Sequence, residues 1–460
     1  MGLHQDPTFW ERFVRYARYI RSVNMNTTTE SGETGTLQTL LHKMGPGRTL
    51  FPGLQTLELV STPCVLSSLS VLFTSTLHSI TIIITEDIIE DIVQDSELTY
   101  AMISATKSLL DSSSQLRSLC LQKGYTFLEK SDLLHDDTGP GRLLLHNISD
   151  FRHLQALTLT LPCALAASEV LTIIALPTLN DVTLENVFGT HSDLTMLSRQ
   201  RVTSPALQTC DLSGNSVGVR AVIAGIYAPQ LHSVWLTLEV DGLDPTQDFC
   251  SCTAAVTRAI DTGIFESYNV VLRNHDQRQD IPARLVDILR SLMSLEMLED
   301  FQLSCGDIPF TATDPGLASL FDVDECRWPK LLDLDLNIFW LDDRAAPSSA
   351  LLHDLRMSCP SLQTLELPYL RPSLNLETPL MEEVSDLLKY THPLEMLHIA
   401  PVRQGHGHGQ AHEESVADDV VMWLARYVHA LFPKISLGGN MRDHTTSEVW
   451  GRIFSTINSM

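Results

Sequence analysis

The sequence predicts an α/β solenoid, a chain of stacked units each pairing one short strand with an outer helix. Three observations predict it. A string of the form Leu-x-x-Leu-x-Leu recurs twelve times along 460 residues. Its copies are 23 to 39 residues apart, about 31 on average. The segments between copies carry amphipathic helical patterns, with Pro near several of their starts.

The clearest copies are Phe51-Pro-Gly-Leu-Gln-Thr-Leu-Glu-Leu59, His153-Leu-Gln-Ala-Leu-Thr-Leu159 and Pro360-Ser-Leu-Gln-Thr-Leu-Glu-Leu367. Others begin at Leu116, Leu179, Leu231, Leu298, Leu331 and Leu394, with weaker ones at Leu77 and Phe265. The copy at Leu207 runs on to Leu212-Ser-Gly-Asn215, the fuller form with Asn three residues after the last Leu. The Leu-x-Leu end has period two, so both aliphatic side chains point to one face of a strand. The first Leu turns the chain into that strand. One unit cannot bury its own apolar face, whereas stacked units share a continuous core. This is the physics of a leucine-rich repeat. It predicts a horseshoe with a concave parallel β-sheet, outer helices, irregular repeats and helical caps at both ends.

The outer helices are expected over 281–293, 347–358 and 379–390. Three segments follow: residues 1–36 as a capping helix and polar linker, 37–412 as the solenoid of about twelve units, and 413–460 as C-terminal capping helices. In the first, Asp6 and Pro7 start a helix expected to reach about Val23. In the last, a helix is expected over 414–431, a short strand over 434–437, and a further helix after the box Thr445-x-x-Glu448.

Composition sets the broad class. Hydrophobic residues make up 44% of the chain, enough for a large core and against global disorder. Lys and Arg number 31 against 56 Asp and Glu, a net charge of −25. That argues against nucleic acid or an anionic membrane as partner and favours a protein with a basic face. Nine scattered cysteines do not form the dense pattern of a secreted disulfide scaffold. No secretory leader is legible at Met1 and no apolar run approaches the roughly 20 residues of a membrane span. A cytoplasmic or nuclear location is expected.

The repeats and the opening segment Trp10-Glu-Arg-Phe-Val-Arg-Tyr-Ala-Arg-Tyr-Ile-Arg-Ser22 together resemble fungal F-box-like leucine-rich-repeat proteins. In that family Phe/Cys-Pro-x-Leu-x-x-Leu-x-Leu recurs irregularly, and a helix of this kind sits between F-box and repeats. The resemblance covers nearly the whole chain. It implies substrate recognition for a cullin-type ubiquitin ligase, with adaptor binding through an F-box upstream of that helix. The F-box itself is not visible in the eight residues before Phe9.

On a repeat sheet, the binding residues stand beside the inward Leu positions. Asp300, Asp333, Asp335 and Glu366 fall on successive rungs, joined by Gln302 and His398, with no Lys or Arg at matching positions. They predict an acidic patch for a basic protein, against the plainer reading of a solvated face on an acidic chain. Trp235 points away from the core by the same alternation and is a hot-spot candidate, unless it packs under a neighbouring loop. Arg12, Arg15, Arg18 and Arg21 recur every three residues, as a docking stripe or as a solvated helix face.

Phosphate-loop and metalloprotease signatures are absent. Gly45-Pro-Gly-Arg48 and Gly139-Pro-Gly-Arg142 lack the Gly-Lys-Ser/Thr of a phosphate loop. There is no His-Glu-x-x-His. His406-Gly-His-Gly-Gln-Ala-His412 reads as a polar loop before a weak metal site, and Cys250-Ser-Cys252 has no second pair to complete a zinc site. The expectation is a non-enzymatic interaction protein without metal or cofactor. The alternatives are a free-standing repeat inhibitor without a ligase link and, less favoured, an enzyme with a cleft site.

Overall fold

The structure is a computed structural model. It describes residues 7–26, 49–62, 72–85, 95–123, 139–161, 163–240, 244–274, 281–312, 316–317, 320, 328–341, 345–371, 391–399, 418–435 and 448–460. The chain forms two compact units, Met1–Gln230 and Leu231–Met460. Each holds six of the twelve repeat strings.

In the first unit, helix α1 (Pro7–Ala17) leads into β1 (Ser22–Asn26), β2 (Thr56–Ser61) and β3 (Ser79–Ile84). Helix α2 (Asp95–Ser112), β4 (Ser118–Lys123), α3 (Gly139–Ser149), β5 (Ala156–Thr160) and β6 (Leu165–Ala166) follow. Then come α4 (Ala167–Ile174), β7 (Asp181–Phe188), α5 (His191–Leu197), β8 (Val202–Thr203), β9 (Thr209–Asn215), α6 (Ser216–Gly225) and β10 (Ile226–Tyr227). Strands β1, β2, β3, β4, β5, β7 and β9 are parallel neighbours in that order.

The second unit runs β11 (Ser233–Glu239), α7 (Pro245–Ala259), β12 (Ser267–Arg273), β13 (Ala283–Arg284), α8 (Leu285–Leu292) and β14 (Asp300–Thr311). It continues with β15 (Asp333–Trp340), α9 (Leu351–Ser358), β16 (Thr364–Leu367), β17 (Met396–Ile399), α10 (Asp418–Leu431) and α11 (Glu448–Ser459). Strands β11, β12, β14, β15, β16 and β17 again pair in parallel.

Every one of the twelve strings forms a strand, and the first apolar residue of each lies two positions before it, 0–2% exposed. The turn ahead recurs too. Leu54 N–H donates to Phe51 O, and Leu116, Leu154, Leu179, Leu298, Leu331 and Leu362 each donate to the carbonyl three residues back. The chain then enters the sheet by one repeated device. A single carbonyl accepts from two successive amides on the next strand, as Arg117 O does from Gln155 and Ala156, and Glu299 O from Leu332 and Asp333. This shared contact locks the register, so equivalent repeat positions stand side by side.

Alternation does the rest. In β2 the pattern is Thr56 exposed, Leu57 buried, Glu58 exposed, Leu59 buried. Each buried Leu or Ile contributes about 1.5–3 kcal/mol against remaining in water. In the second unit aromatics fill two such positions, and Phe249, Phe265 and Phe301 surround buried Tyr268 at centroid distances of 6.1–6.2 Å.

Asn215 explains the fuller motif. Its Oδ1 accepts from Gly218 N–H (2.8 Å) and Gly189 N–H (3.1 Å), and its Nδ2 donates to Gly189 O (3.0 Å). One side chain caps α6 and ties it to the preceding repeat. Gly214 must be glycine, because a Cβ there would lie 2.0 Å from Val187 O.

Several sequence expectations are corrected. The opening helix ends at Ala17, and Ser22–Asn26 is a strand rather than helix and linker, because it pairs with β2. The helix expected from 281 starts at Leu285, after the pair β13 makes with β14. The helix expected from 347 starts at Leu351, after Ser348 bridges Arg371. Lys434 lies in a turn. The helix expected over 379–390, the His406–His412 cluster, Asp6 and Thr445 lie outside the described residues. The C-terminal helices are anchored within the second unit. Arg356 of α9, only 5% exposed, donates to Ala430 O (3.0 Å) and to Leu431 O at the end of α10, and Trp450 Nε1 donates to Leu370 O (3.0 Å).

Candidate functional site

The register places the candidate residues of the second unit in two adjacent rows. One runs Trp235, Asn269, Gln302, Asp335, Glu366, His398 across β11, β12, β14, β15, β16 and β17. The other, two residues earlier on each strand, includes Ser267, Asp300, Asp333 and Thr364. All occupy the sheet face opposite the apolar core. Trp235 is 45% exposed and Asp333 is exposed, while Asp300, Gln302, Asp335, Glu366 and His398 are half-buried. Asn269 belongs to the same row and is almost fully covered at 6%.

Hydrogen bonds run along the rows. Asn269 Nδ2 donates to Ser267 Oγ (3.1 Å), which donates to Asp300 Oδ2 (3.1 Å). Gln302 Nε2 donates to Asp335 Oδ2 (2.9 Å). His398 Nδ1 faces Glu366 Oε2 at 3.8 Å, an ion pair when the ring is protonated. Two acceptors remain unpartnered, Asn269 Oδ1 and Asp335 Oδ1.

The electrostatics follow from this packing. Burial pushes the Asp335 carboxyl up to about 6, and the Glu366 charge adds to that, against the Gln302 hydrogen bond. The His398 ring holds Glu366 below its ordinary value, and Glu366 in turn raises His398. Here the sheet face crowds carboxylates with one titratable cation among them.

The first unit differs. A cavity of about 310 Å³ lies over the starts of β4, β5, β7 and β9, with Arg117, Gln155, Asn180 and Asp181 in its wall. One cation and one anion offset each other there. A smaller acidic group stands on β7 and β9, where burial, Glu185 and Asp181 push Asp211 up to about 6.

The arginine stripe is not one helical face. Arg12 and Arg15 lie on α1, while Arg18 and Arg21 follow its end. Arg18 packs over Tyr19, and Arg21 donates to Arg18 O (3.1 Å) and Gly53 O (2.9 Å), holding the turn before β2. Cys250 and Cys252 both lie on α7, two residues apart and so on different faces, with Cys252 buried. Among the described residues, no three His, Cys, Asp or Glu side chains are grouped to hold a metal ion, and no helix is long and apolar enough to cross a membrane.

Sequence alternation put most of these residues on this sheet face. It did not single out Ser267. It missed the covering of Asn269, which depends on neighbouring strands. No family model matches the chain, and no curated protein matches it.

Proposed function

We propose that the chain is a non-catalytic protein-interaction module, a leucine-rich-repeat solenoid whose concave sheet face grips a protein with a basic surface. The observation that carries this is the pair of rows in the second unit. Across six strands their twelve positions hold Asp300, Asp333, Asp335 and Glu366, and no Lys or Arg. An acidic face on a protein of net charge −25 attracts cationic partners and repels nucleic acid.

The finer reading is a substrate-recognition subunit of F-box type for a cullin ubiquitin ligase, in the cytoplasm or nucleus. It is supported by the resemblance of Trp10–Ser22 and of the repeats to fungal F-box-like proteins. The test is cross-linking from a photoreactive residue at position 235, followed by mass spectrometry of what the full chain captures. A partner whose cross-linked segment is Lys/Arg-rich supports the module, and an adaptor of the ligase in the same complex supports the finer reading. Cross-links confined to acidic or uncharged segments contradict the module. A basic partner recovered without any adaptor leaves a free-standing binder.

A further inference from the structure

The outward face of the second unit is short of hydrogen-bond donors. Asn269 Nδ2 and Gln302 Nε2 each commit one N–H, and Ser267 Oγ its only one, to a neighbour in the rows. Acceptors are in surplus. Asn269 Oδ1 and Asp335 Oδ1 have no partner, although Asn269 is only 6% exposed. The exposed Asp333 carboxylate forms no hydrogen bond or ion pair among the described residues. The carboxylates of exposed Asp333 and half-buried Asp335 accept and do not donate when ionised, so the face favours a group that only donates. Guanidinium has five N–H donors and no acceptor. At one end of the row stands the exposed indole of Trp235, on which a guanidinium plane stacks.

Resting on the reading of this face as the binding surface, we propose that it takes an extended segment of the partner carrying two arginines four residues apart, one over Trp235 and one over Asp333 and Asp335. The spacing comes from strand geometry. Trp235 and Asp335 are three strands apart in one register, roughly 14 Å at about 4.8 Å per strand. A segment lying across the strands rises about 3.3 Å per residue, so side chains four residues apart on its lower face are separated by about 13 Å. Two residues apart, about 7 Å, the second guanidinium falls between Asn269 and Gln302, short of the carboxylates. Six apart, about 20 Å, it arrives over Glu366, which His398 already pairs.

The test measures fluorescence anisotropy of end-capped peptides on the full chain. All have equal length and charge, with two arginines spaced by two, four or six in a Ser/Thr background. The spacing of four should bind about fivefold or more tighter than the others, the effect of one added cation–π or charge contact of about 1 kcal/mol. Trp235→Ala and Asp335→Asn, each checked for retained circular dichroism, should each abolish that preference. Equal affinity at all spacings overturns the proposal while leaving a basic partner standing, since unspecific attraction depends on charge alone. No binding by any peptide overturns the proposal and counts against the basic-partner reading as well.

Discussion

Gln302 donates from Nε2 to Asp335 Oδ2 at 2.9 Å, joining two residues 33 apart in sequence that the repeat register sets side by side. The bond only partly offsets what burial and Glu366 do to Asp335, whose carboxyl stands at about 6. Because the folded value lies above the ordinary 3.8, this carboxyl contributes stability below about pH 4, lost as pH rises through about 6. Asp335→Asn, neutral throughout, is expected to be more stable than the native chain at pH 8. The gain is on the order of 1 kcal/mol once solvent screening at this half-exposed position is allowed for. Urea titrations should show that gain vanish at pH 4; an equal gain at both pH values would assign it to packing.

The Glu366–His398 pair behaves oppositely at its two limits. His398 is raised, so its share is present below its unfolded value near 6.5 and fades as pH rises through a higher one. Glu366 is lowered, so its share is present above 4.5 and fades as pH falls. His398→Gln should therefore cost most between about pH 5 and 6.5, by no more than about 1 kcal/mol for so exposed a pair. Thermal melts at pH 5.5 and 9 check this, and a loss independent of pH would refute it.

Asn215→Ala should cost about 2–4 kcal/mol. It removes a helix cap and leaves the covered Gly189 amide and carbonyl without their partners. Denaturant unfolding measures it, and a loss under 0.5 kcal/mol would show that neighbouring groups or water replace the side chain.

Arg356→Met should destabilise the second unit by about 2–3 kcal/mol, because the carbonyls at the end of α10 lose a buried charged donor. Hydrogen exchange should show faster exchange at the C-terminal end of α10 and little change in β2 to β5. Uniform acceleration across the chain would contradict this assignment.

The twelve repeat strands were legible in the sequence because period-two alternation and the apolar residue two positions ahead of each are local signals. Strand β1 was not. Ser22-Val-Asn-Met-Asn26 carries no aliphatic triplet, and the Arg spacing that extends a helical pattern to Arg21 instead serves Gly53 across the turn. The positions of Asp333 and Asp335 could be read from alternation. The covering of Asn269 and the orphaned oxygens depend on which side chains the register brings together, and no single strand encodes that. Arg356 gave no signal at all, since its partners lie about 75 residues away.

The central claim is that the acidic rows of the second unit bind a basic partner, and Asp333→Lys tests it most directly because Asp333 is exposed and its replacement spares the core. Affinity of the full chain for an arginine-rich peptide, measured by calorimetry at low and at physiological salt, should fall about tenfold or more in this variant. The native chain's binding should weaken with salt. Unchanged affinity, with the native salt dependence intact, would place the binding surface elsewhere.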